Sequence, residues 1–180
     1  MIFHATAIAG AFEIEPEMLA DERGVFARTF CAALFAERGL VTHWPQCNVS
    51  TNPRRGTLRG MHWQAEPHGE AKLVRATRGL VYDVALDLRP GSPSFRNWAA
   101  VELDERRANA FYIPSGCAHG FLTLEDDSAL FYQMSTPYVP GAARCLRWDD
   151  PAFTIDWPSP PALIGARDAA CPDFTEEVTP

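Results

Sequence analysis

Proline and glycine interrupt this chain so often that short strands joined by turns are its natural elements. Fifteen prolines and twelve glycines are spread over 180 residues, and each tends to break or bend a helix interior or a central strand. Between them lie short runs in which apolar and polar residues alternate, the period of a strand. The clearest is "LVYDVALDL" (80–88), which sets Leu80, Tyr82, Val84, Leu86 and Leu88 on one face and Val81, Asp83, Ala85 and Asp87 on the other. Further strands are predicted at 10–15, 25–30, 45–50, 57–63, 71–77, 97–103, 110–113, 119–124, 128–135 and 143–148. One helix is predicted within "FCAALFAERG" (30–39), closed by Gly39 as a C-cap. The pattern is that of a β-sandwich or barrel.

The chain is long enough for one domain with a sizeable core, and a single unit over 1–180 is expected. Residues 151–170 form a proline-rich tail that must lie on the body, because it carries Phe153, Ile155, Trp157, Leu163 and Ile164; it is too rich in proline for regular structure. Residues 171–180 are expected to fray. A formal charge of -7 and a pI near 5.2 offer no general attraction to nucleic acid or to an anionic membrane. Any bound anion must therefore be held by a few local cations.

The five cysteines are odd in number, widely spaced and without a CxxC pair, which argues against a disulfide framework and against a thiolate zinc site. A reducing cytoplasm is the simplest location. The first residues, "MIFHATAIAGAFEIEPE", lack a basic leader and meet Glu13 and Glu15 early, and no apolar run is long enough to span a bilayer. The expectation is a soluble, unprocessed chain.

Chemistry concentrates in "TLRGMHWQAEPHGEAKLV" (57–74) and "AFYIPSGCAHGFLTL" (110–124). In the second, Pro114, Gly116 and His119 resemble the latter half of the cupin double motif. Its partner half offers only His62, with Gln64 where a second histidine belongs, so the metal triad is broken: imidazole and carboxylate suit a divalent transition metal and an amide does not. On a strand, Gly60, His62 and Gln64 share one face and Arg59, Met61 and Trp63 the other. His62 can serve as a base without metal, its unperturbed pKa of about 6.5 lying near working pH; it equally fits a half-buried structural histidine. His68 and Glu66, beside Pro67 and Gly69, belong to a loop.

The segments "DERGVFARTF", "PQCNVSTNPRRGTLRGMHWQ", "EAKLVRATRGLVYDVALDLRPGSPSF", "FYIPSGCAHGFLTLEDDSALFYQMSTPYVP" and "LRWDDPAFTIDWP", taken in order over residues 10 to 168, resemble the dTDP-4-dehydrorhamnose 3,5-epimerase family. The resemblance implies an all-β, cupin-like double-stranded β-helix (jelly-roll barrel) with one or two short helices, no metal or other cofactor, a homodimer, and epimerisation of a nucleotide-linked 4-keto-6-deoxyhexose at C3, C5 or both. It assigns His62 as the base, Asp168 as the carboxylate that orients it and Tyr132 as the acid on the opposite face. Lys72 and Asp83 become polar groups lining the pocket. Arg23, Phe26, Gln46, Asn48, Arg59, His119 and Tyr138 become the residues that hold nucleotide, diphosphate or sugar.

The residue types suit that chemistry. Removing a proton beside a ketone builds charge on oxygen, which a cation such as Lys72 stabilises. Inversion needs a proton donor on the other face, and a phenol fits. A diphosphate is gripped by arginine. Each residue also fits a plainer role: Tyr132 and Tyr138 as core tyrosines, Asp83 and Asp87 as an exposed strand face, Arg23–Gly24 as a turn. The chain departs from the family pattern at Arg28, Glu70, Ala143 and Ala166–Arg167, which bears on nucleobase and sugar choice. Two other functions stay open on these residues, a metal-dependent cupin enzyme and a non-catalytic sugar-nucleotide binding module.

Overall fold

The structure, a computed structural model, describes residues 1–175. In chain order its elements are β1 (Ile2–Ala5), β2 (Phe12–Glu15), β3 (Met18–Asp21), β4 (Gly24–Ala27), α1 (Ala32–Ala36), β5 (Gln46–Asn52), β6 (Thr57–Gln64), β7 (Lys72–Arg78), β8 (Leu80–Asp87), β9 (Trp98–Asp104), β10 (Ala110–Ile113), β11 (Cys117–Thr123), β12 (Ser128–Met134), β13 (Ala143–Cys145), β14 (Leu163–Ile164) and α2 (Ala166–Ala169). Every strand expected from alternation is present. Gly39 closes the turn after α1 with a φ of 67°, a conformation that glycine adopts without strain.

Two sheets pack face to face as a jelly roll. One has the order β1-β2-β10-β7-β12-β5 and the other β13-β6-β11-β8-β9, with β14 also alongside β6. All of these neighbours run antiparallel except β14 and β6. Between the sheets lies one apolar cluster, in which Val74, Phe111 and Leu130 from the first sheet meet Val81, Val101 and Phe121 from the second.

Each sheet is also covered on its outer face. Phe35 of α1, with Phe30, Leu40 and Trp44, packs over Leu73 and Tyr112. Val84, Leu86 and Leu88 turn the other way, under Leu146, Phe153, Ile155, Trp157 and Phe174. Strand β8 is therefore buried on both faces, which accounts for its nearly continuous apolar character. Its two carboxylates, Asp83 and Asp87, are both 0% exposed rather than forming a solvated face. Full burial of a leucine such as Leu86 contributes about 2 kcal/mol. Asp87 is satisfied on both oxygens by Arg89, Ser92 and Ser94 in the turn that follows.

Several expectations need correction. The tail 151–170 contains regular structure, β14 and α2, held because Ala162 and Leu163 donate backbone hydrogen bonds to the Gly56 carbonyl. Cys145 and Cys171 form a disulfide, a pairing 26 residues apart that spacing rules for short motifs do not detect. It fastens the end of β13 to the turn after α2, so residues 171–174 are tied down: Cys171 is buried and Phe174 packs on Phe153. Of the segment expected to fray, residues 176–180 lie outside the described residues. Among the described residues no helix is long and apolar enough to cross a membrane.

Strands β3 and β4 form a hairpin that pairs with neither sheet. It exposes Met18, Leu19, Val25 and Phe26, the last at 67%. The sequence of β3, "MLAD", has no alternation against water, and β1 is only four residues long, so neither gives a strand signal.

Candidate active site

A cleft of about 790 Å³ opens between the sheets. Nine of the twelve residues expected at a site line it: Gln46, Asn48, Arg59, His62, Lys72, His119, Tyr132, Tyr138 and Asp168. Strands β5, β7 and β12 supply one wall, strands β6 and β11 the other, and α2 brings Asp168 to the rim. A smaller hollow of about 330 Å³ between β1 and β9 is lined largely by alanines, and its histidine, His4, is already paired with Glu15.

His62 and His119 face one another across the β6–β11 ladder. Beyond them the register shifts: Phe121 stands opposite Arg59, so three steps along β6 match two along β11. This bulge is centred on Gly60, whose φ of 126° is closed to L side chains; a Cβ there would sit 2.4 Å from the Gly120 Cα. Strict alternation put Arg59 on the face opposite His62. The bulge instead turns both into the cleft, while Met61 packs outward and Trp63 joins the same outer cluster as well as the cleft lining.

Asp168 accepts two hydrogen bonds, from His62 Nε2 at 2.8 Å and from the Gly60 N–H at 3.1 Å. Burial works to raise the Asp168 carboxyl, but the bond and charge of His62, the Gly60 N–H and Arg167 outweigh it and hold the group below the usual carboxylate range. An ionised carboxylate only accepts, so Nε2 of His62 carries the hydrogen and Nδ1 is left with its lone pair. The arrangement is an imidazole whose tautomer is set by a buried partner and whose free lone pair can accept a proton.

On the facing wall, Tyr132 of β12 is half-buried and packs against the inner core. Burial raises its phenol above the usual value; Arg59 works against the rise and Glu70 adds to it. Such a phenol keeps its proton through neutral pH and can donate it. Lys72 is 7% exposed at its side chain and lies 3.0 Å from Glu70 Oε1, with a second contact, Nζ to the His62 carbonyl, at 3.1 Å. His119 meets Asp83 at 2.7 Å.

Asp83 itself sits behind His119 and does not line the cleft, which corrects its expected position; its second oxygen is buried and unpartnered among the described residues. Burial pushes this carboxyl up, against the charges of His119 and Lys72. Gln46 and Asn48 lie in a row along β5, joined at 3.1 Å, and Gln46 also accepts the Tyr138 N–H at 2.8 Å. Arg59 donates to Asn52 at 2.9 Å.

Arg23 and Phe26 do not join this cleft within one chain. Both belong to the β3–β4 hairpin, Phe26 in β4 and Arg23 in the turn, where it pairs with Asp21 in solvent. Arg28, just past β4, is also absent from the lining, unlike Glu70, Ala143 and Arg167. Sequence reasoning marked Glu70 and Arg167 only as departures bearing on nucleobase and sugar choice, and gave no role to Arg144. Glu70 had a usable signal, since residues two apart on an extended chain share a face, and Lys72 is two residues on.

Four basic side chains in the lining (Arg59, Lys72, Arg144, Arg167) stand against two carboxylates (Glu70, Asp168), in a chain whose net charge is -7. The cleft is suited to a polyanionic ligand. Among the described residues no three His, Cys, Asp or Glu side chains come together as a metal-binding group. Gln64, at the broken position of the cupin motif, is committed to the backbone at His68, Pro137 and Val139.

A family model described as dTDP-4-dehydrorhamnose 3,5-epimerase matches residues 5–176. The dTDP-4-dehydrorhamnose 3,5-epimerase of Sinorhizobium fredii is 39% identical over 181 residues, 98% of this chain and 91% of that protein. The dTDP-4-dehydrorhamnose 3-epimerase of Streptomyces niveus is 40% identical over 89% of this chain and 78% of its own length. Among solved structures, the dTDP-6-deoxy-D-glucose-3,5-epimerase of Legionella pneumophila in complex with dTDP-4-keto-L-rhamnose superposes with a TM-score of 0.92 at 34% identity, covering 99% of this chain and 97% of that one.

Proposed function

Because this chain belongs to the dTDP-4-dehydrorhamnose 3,5-epimerase family, we propose that it is an isomerase that inverts a nucleotide-diphosphate-linked 4-keto-6-deoxyhexose at C3, C5 or both. The substrate it is best suited to is dTDP-4-dehydro-6-deoxyglucose, giving dTDP-4-dehydrorhamnose for deoxysugar or polysaccharide biosynthesis. The observation that carries this reading is the placement of a carboxylate-held base, His62, and a protonated phenol, Tyr132, on opposite walls of one cationic cleft.

His62 Nδ1 takes the proton from the carbon next to the ketone, and the C–H electron pair moves into the enolate. Asp168 stabilises the imidazolium that forms. Lys72, with His119 nearby, meets the charge on the enolate oxygen; a preorganised donor of this kind is worth about 3 kcal/mol. Tyr132 then gives its O–H proton to the opposite face of the same carbon, and solvent reprotonates the phenolate and relieves the imidazolium. Arg59 on one wall, with Gln46 and Asn48 of β5 on the facing wall and Tyr138 beside them, holds the diphosphate and nucleoside.

The proposal includes a homodimer. The free β3–β4 hairpin carries Arg23 and Phe26 away from its own cleft and leaves its apolar side chains bare. Strand β5 is an unpaired edge beside the cleft and exposes Val49 at 65%. Such bare edges and apolar patches are ordinarily covered, and a hairpin laid over the partner's cleft would add Arg23 and Phe26 to the ligand site. Action in the cytoplasm is also proposed, on the class of substrate; the Cys145–Cys171 bridge is the feature at odds with a strongly reducing compartment.

The test is solvent deuterium entry at C3 and C5 of 4-keto-6-deoxy sugars linked to thymidine, guanosine, cytidine or uridine diphosphate. Exchange with at least one of them is expected, abolished by His62→Asn, whereas Tyr132→Phe keeps some exchange and loses inversion. No exchange across the panel overturns the reading.

A further inference from the structure

We propose that the Cys145–Cys171 bridge positions Asp168 on the base, so that a thiol reductant slows proton abstraction while the barrel stays folded. The inference rests on the epimerase reading above and adds to it a pair of residues that the reading does not use.

Four residues close a ring around the base. Cys145 of β13 stands opposite His62 on the β13–β6 ladder. The adjoining residues Met61 and Leu146 exchange both backbone hydrogen bonds, at 3.2 and 3.0 Å. The Cys145–His62 pair is therefore of the non-hydrogen-bonded kind, in which facing residues stand closer. The bridge runs from Cys145 to Cys171, just past α2. The Cys171 N–H donates back to the Asp168 carbonyl at 3.3 Å, and the Asp168 carboxylate accepts from His62 Nε2 at 2.8 Å. One covalent link thus ties the strand beside the base to the turn that carries its carboxylate.

Little else holds that turn. Helix α2 is four residues long and has no side-chain cap among the described residues, and a helix this short is not stable on its own. From Gly165 to Cys171 only Asp168 and Cys171 are buried. The N–H groups of Ala169, Ala170 and Cys171 donate within the segment, to Gly165, Arg167 and Asp168. The ties to the body lie outside it: β14 pairs with β6 through two residues on one side, and the Arg147 N–H donates to the Pro172 carbonyl at 2.9 Å on the other. With the bridge open, the Asp168 carboxylate must hold its own helix in place through its bonds to His62 and the Gly60 N–H. Those are the bonds on which the base depends. Opening the bridge needs a reductant of the dithiol class, which supplies two electrons and two protons. The S–S bond breaks, Cys145 and Cys171 each become a thiol, and the reductant leaves as its own disulfide. Cys145 is only half-buried, so an attacking thiolate has a sulfur within reach.

The experiment measures kcat for deuterium entry on the full chain, poised in mixtures of reduced and oxidised dithiothreitol, with thiol titration after denaturation and circular dichroism alongside. Titration should find three thiols in the oxidised protein, Cys31, Cys47 and Cys117, and two more after reduction. Reduction is expected to lower kcat about threefold to thirtyfold, because a link acting through Asp168 cannot cost more than losing that carboxylate. Reoxidation should restore the rate, and kcat and thiol count should titrate at one common potential. In Asp168→Asn, reduction should change kcat by less than about twofold, since the bridge then has no carboxylate to hold. Cys145→Ser combined with Cys171→Ser should run at the reduced rate and ignore the reductant; if that variant does not fold, the reduced wild type carries the same reading. The proposal is overturned by a kcat within about twofold after complete reduction, by an equal loss in Asp168→Asn, by five thiols before any reductant, or by unfolding of the whole barrel on reduction. Absence of exchange in the oxidised wild type overturns the epimerase reading, and this inference with it.

Discussion

Replacing Asp168 with asparagine isolates what His62, the proposed base, gains from its partner. The carboxylate accepts from His62 Nε2 at 2.8 Å and from the Gly60 N–H at 3.1 Å. An asparagine has one acceptor oxygen and cannot serve both. A charge-assisted hydrogen bond is worth about 1.5–3 kcal/mol. The His62 side chain is 39% exposed, so solvent screens the pair and the lower half of that range applies. A loss of about 2 kcal/mol in stabilising the imidazolium corresponds to a fall of about 30-fold in kcat. If the amide NH2 turns to His62, the ring must present a lone pair at Nε2 and carry its hydrogen on Nδ1, which removes the base and deepens the loss. The assay is the initial rate of deuterium entry at C3, followed by proton NMR at saturating and sub-saturating substrate, with dTDP affinity measured by calorimetry. We expect kcat to fall and dTDP affinity to stay within about twofold, since the effect is on proton transfer. A variant within about threefold of wild-type kcat would refute the assignment of Asp168 as the group that sets the tautomer of His62.

Three further outcomes follow from the same structure. Burial alone would raise the Asp87 carboxyl, but its bonds to Arg89, Ser92 and Ser94 bring it down to about 2. A depressed carboxylate stabilises the fold above its unfolded value near 3.9 and loses that contribution as pH falls toward 2, so the stability deficit of Asp87→Asn, about 2 kcal/mol near neutrality, should shrink over that range in urea titrations. Gly60→Ala places a Cβ 2.4 Å from the Gly120 Cα at a φ of 126°, and should cost about 3 kcal/mol or more, read as a lower thermal midpoint or loss of soluble protein. Phe26→Ser on the bare hairpin should shift the protein toward monomer in light scattering and raise KM; an unchanged mass and KM would remove the hairpin from the proposed interface.

Alternation and turn residues made the barrel strands legible because β5 to β9, β11 and β12 are seven or eight residues long and repeat a two-residue period several times. They could not show which strands are covered on both sides, since the cover comes from residues far along the chain: Trp157 and Phe174 over β8, Phe35 over β7. That is why Asp83 and Asp87 read equally well as solvated. The side to which Arg59 points was misread for a more local reason, the extra residue at Gly60, which resets the alternation without leaving a mark in the polarity pattern. His62, Lys72 and Tyr132 came from ordered motifs. The link from His62 to Asp168 spans 106 residues, and the Cys145–Cys171 pairing depends on the same returning segment; neither is visible to any local rule. Glu70 was readable as a neighbour of Lys72 on one strand face but not as its ion-pair partner, which required the burial of both.

The contact between Gly60 and Gly120 also bears on how this scaffold could be diversified. A Cβ on Gly120 would lie 2.6 Å from the Met61 Sδ and 3.0 Å from the Arg59 carbonyl, so each glycine excludes a side chain at the other's door and neither can change first. The two histidines beside them are consequently fixed in spacing for every descendant of this sequence that keeps the barrel. Freedom to recruit a different sugar nucleotide is confined to positions whose side chains meet the cleft from outside that contact, such as Val49, Arg144 and Arg167. A combinatorial library that randomises those three and leaves 60 and 120 untouched samples new ligands without spending its members on unfolded chains.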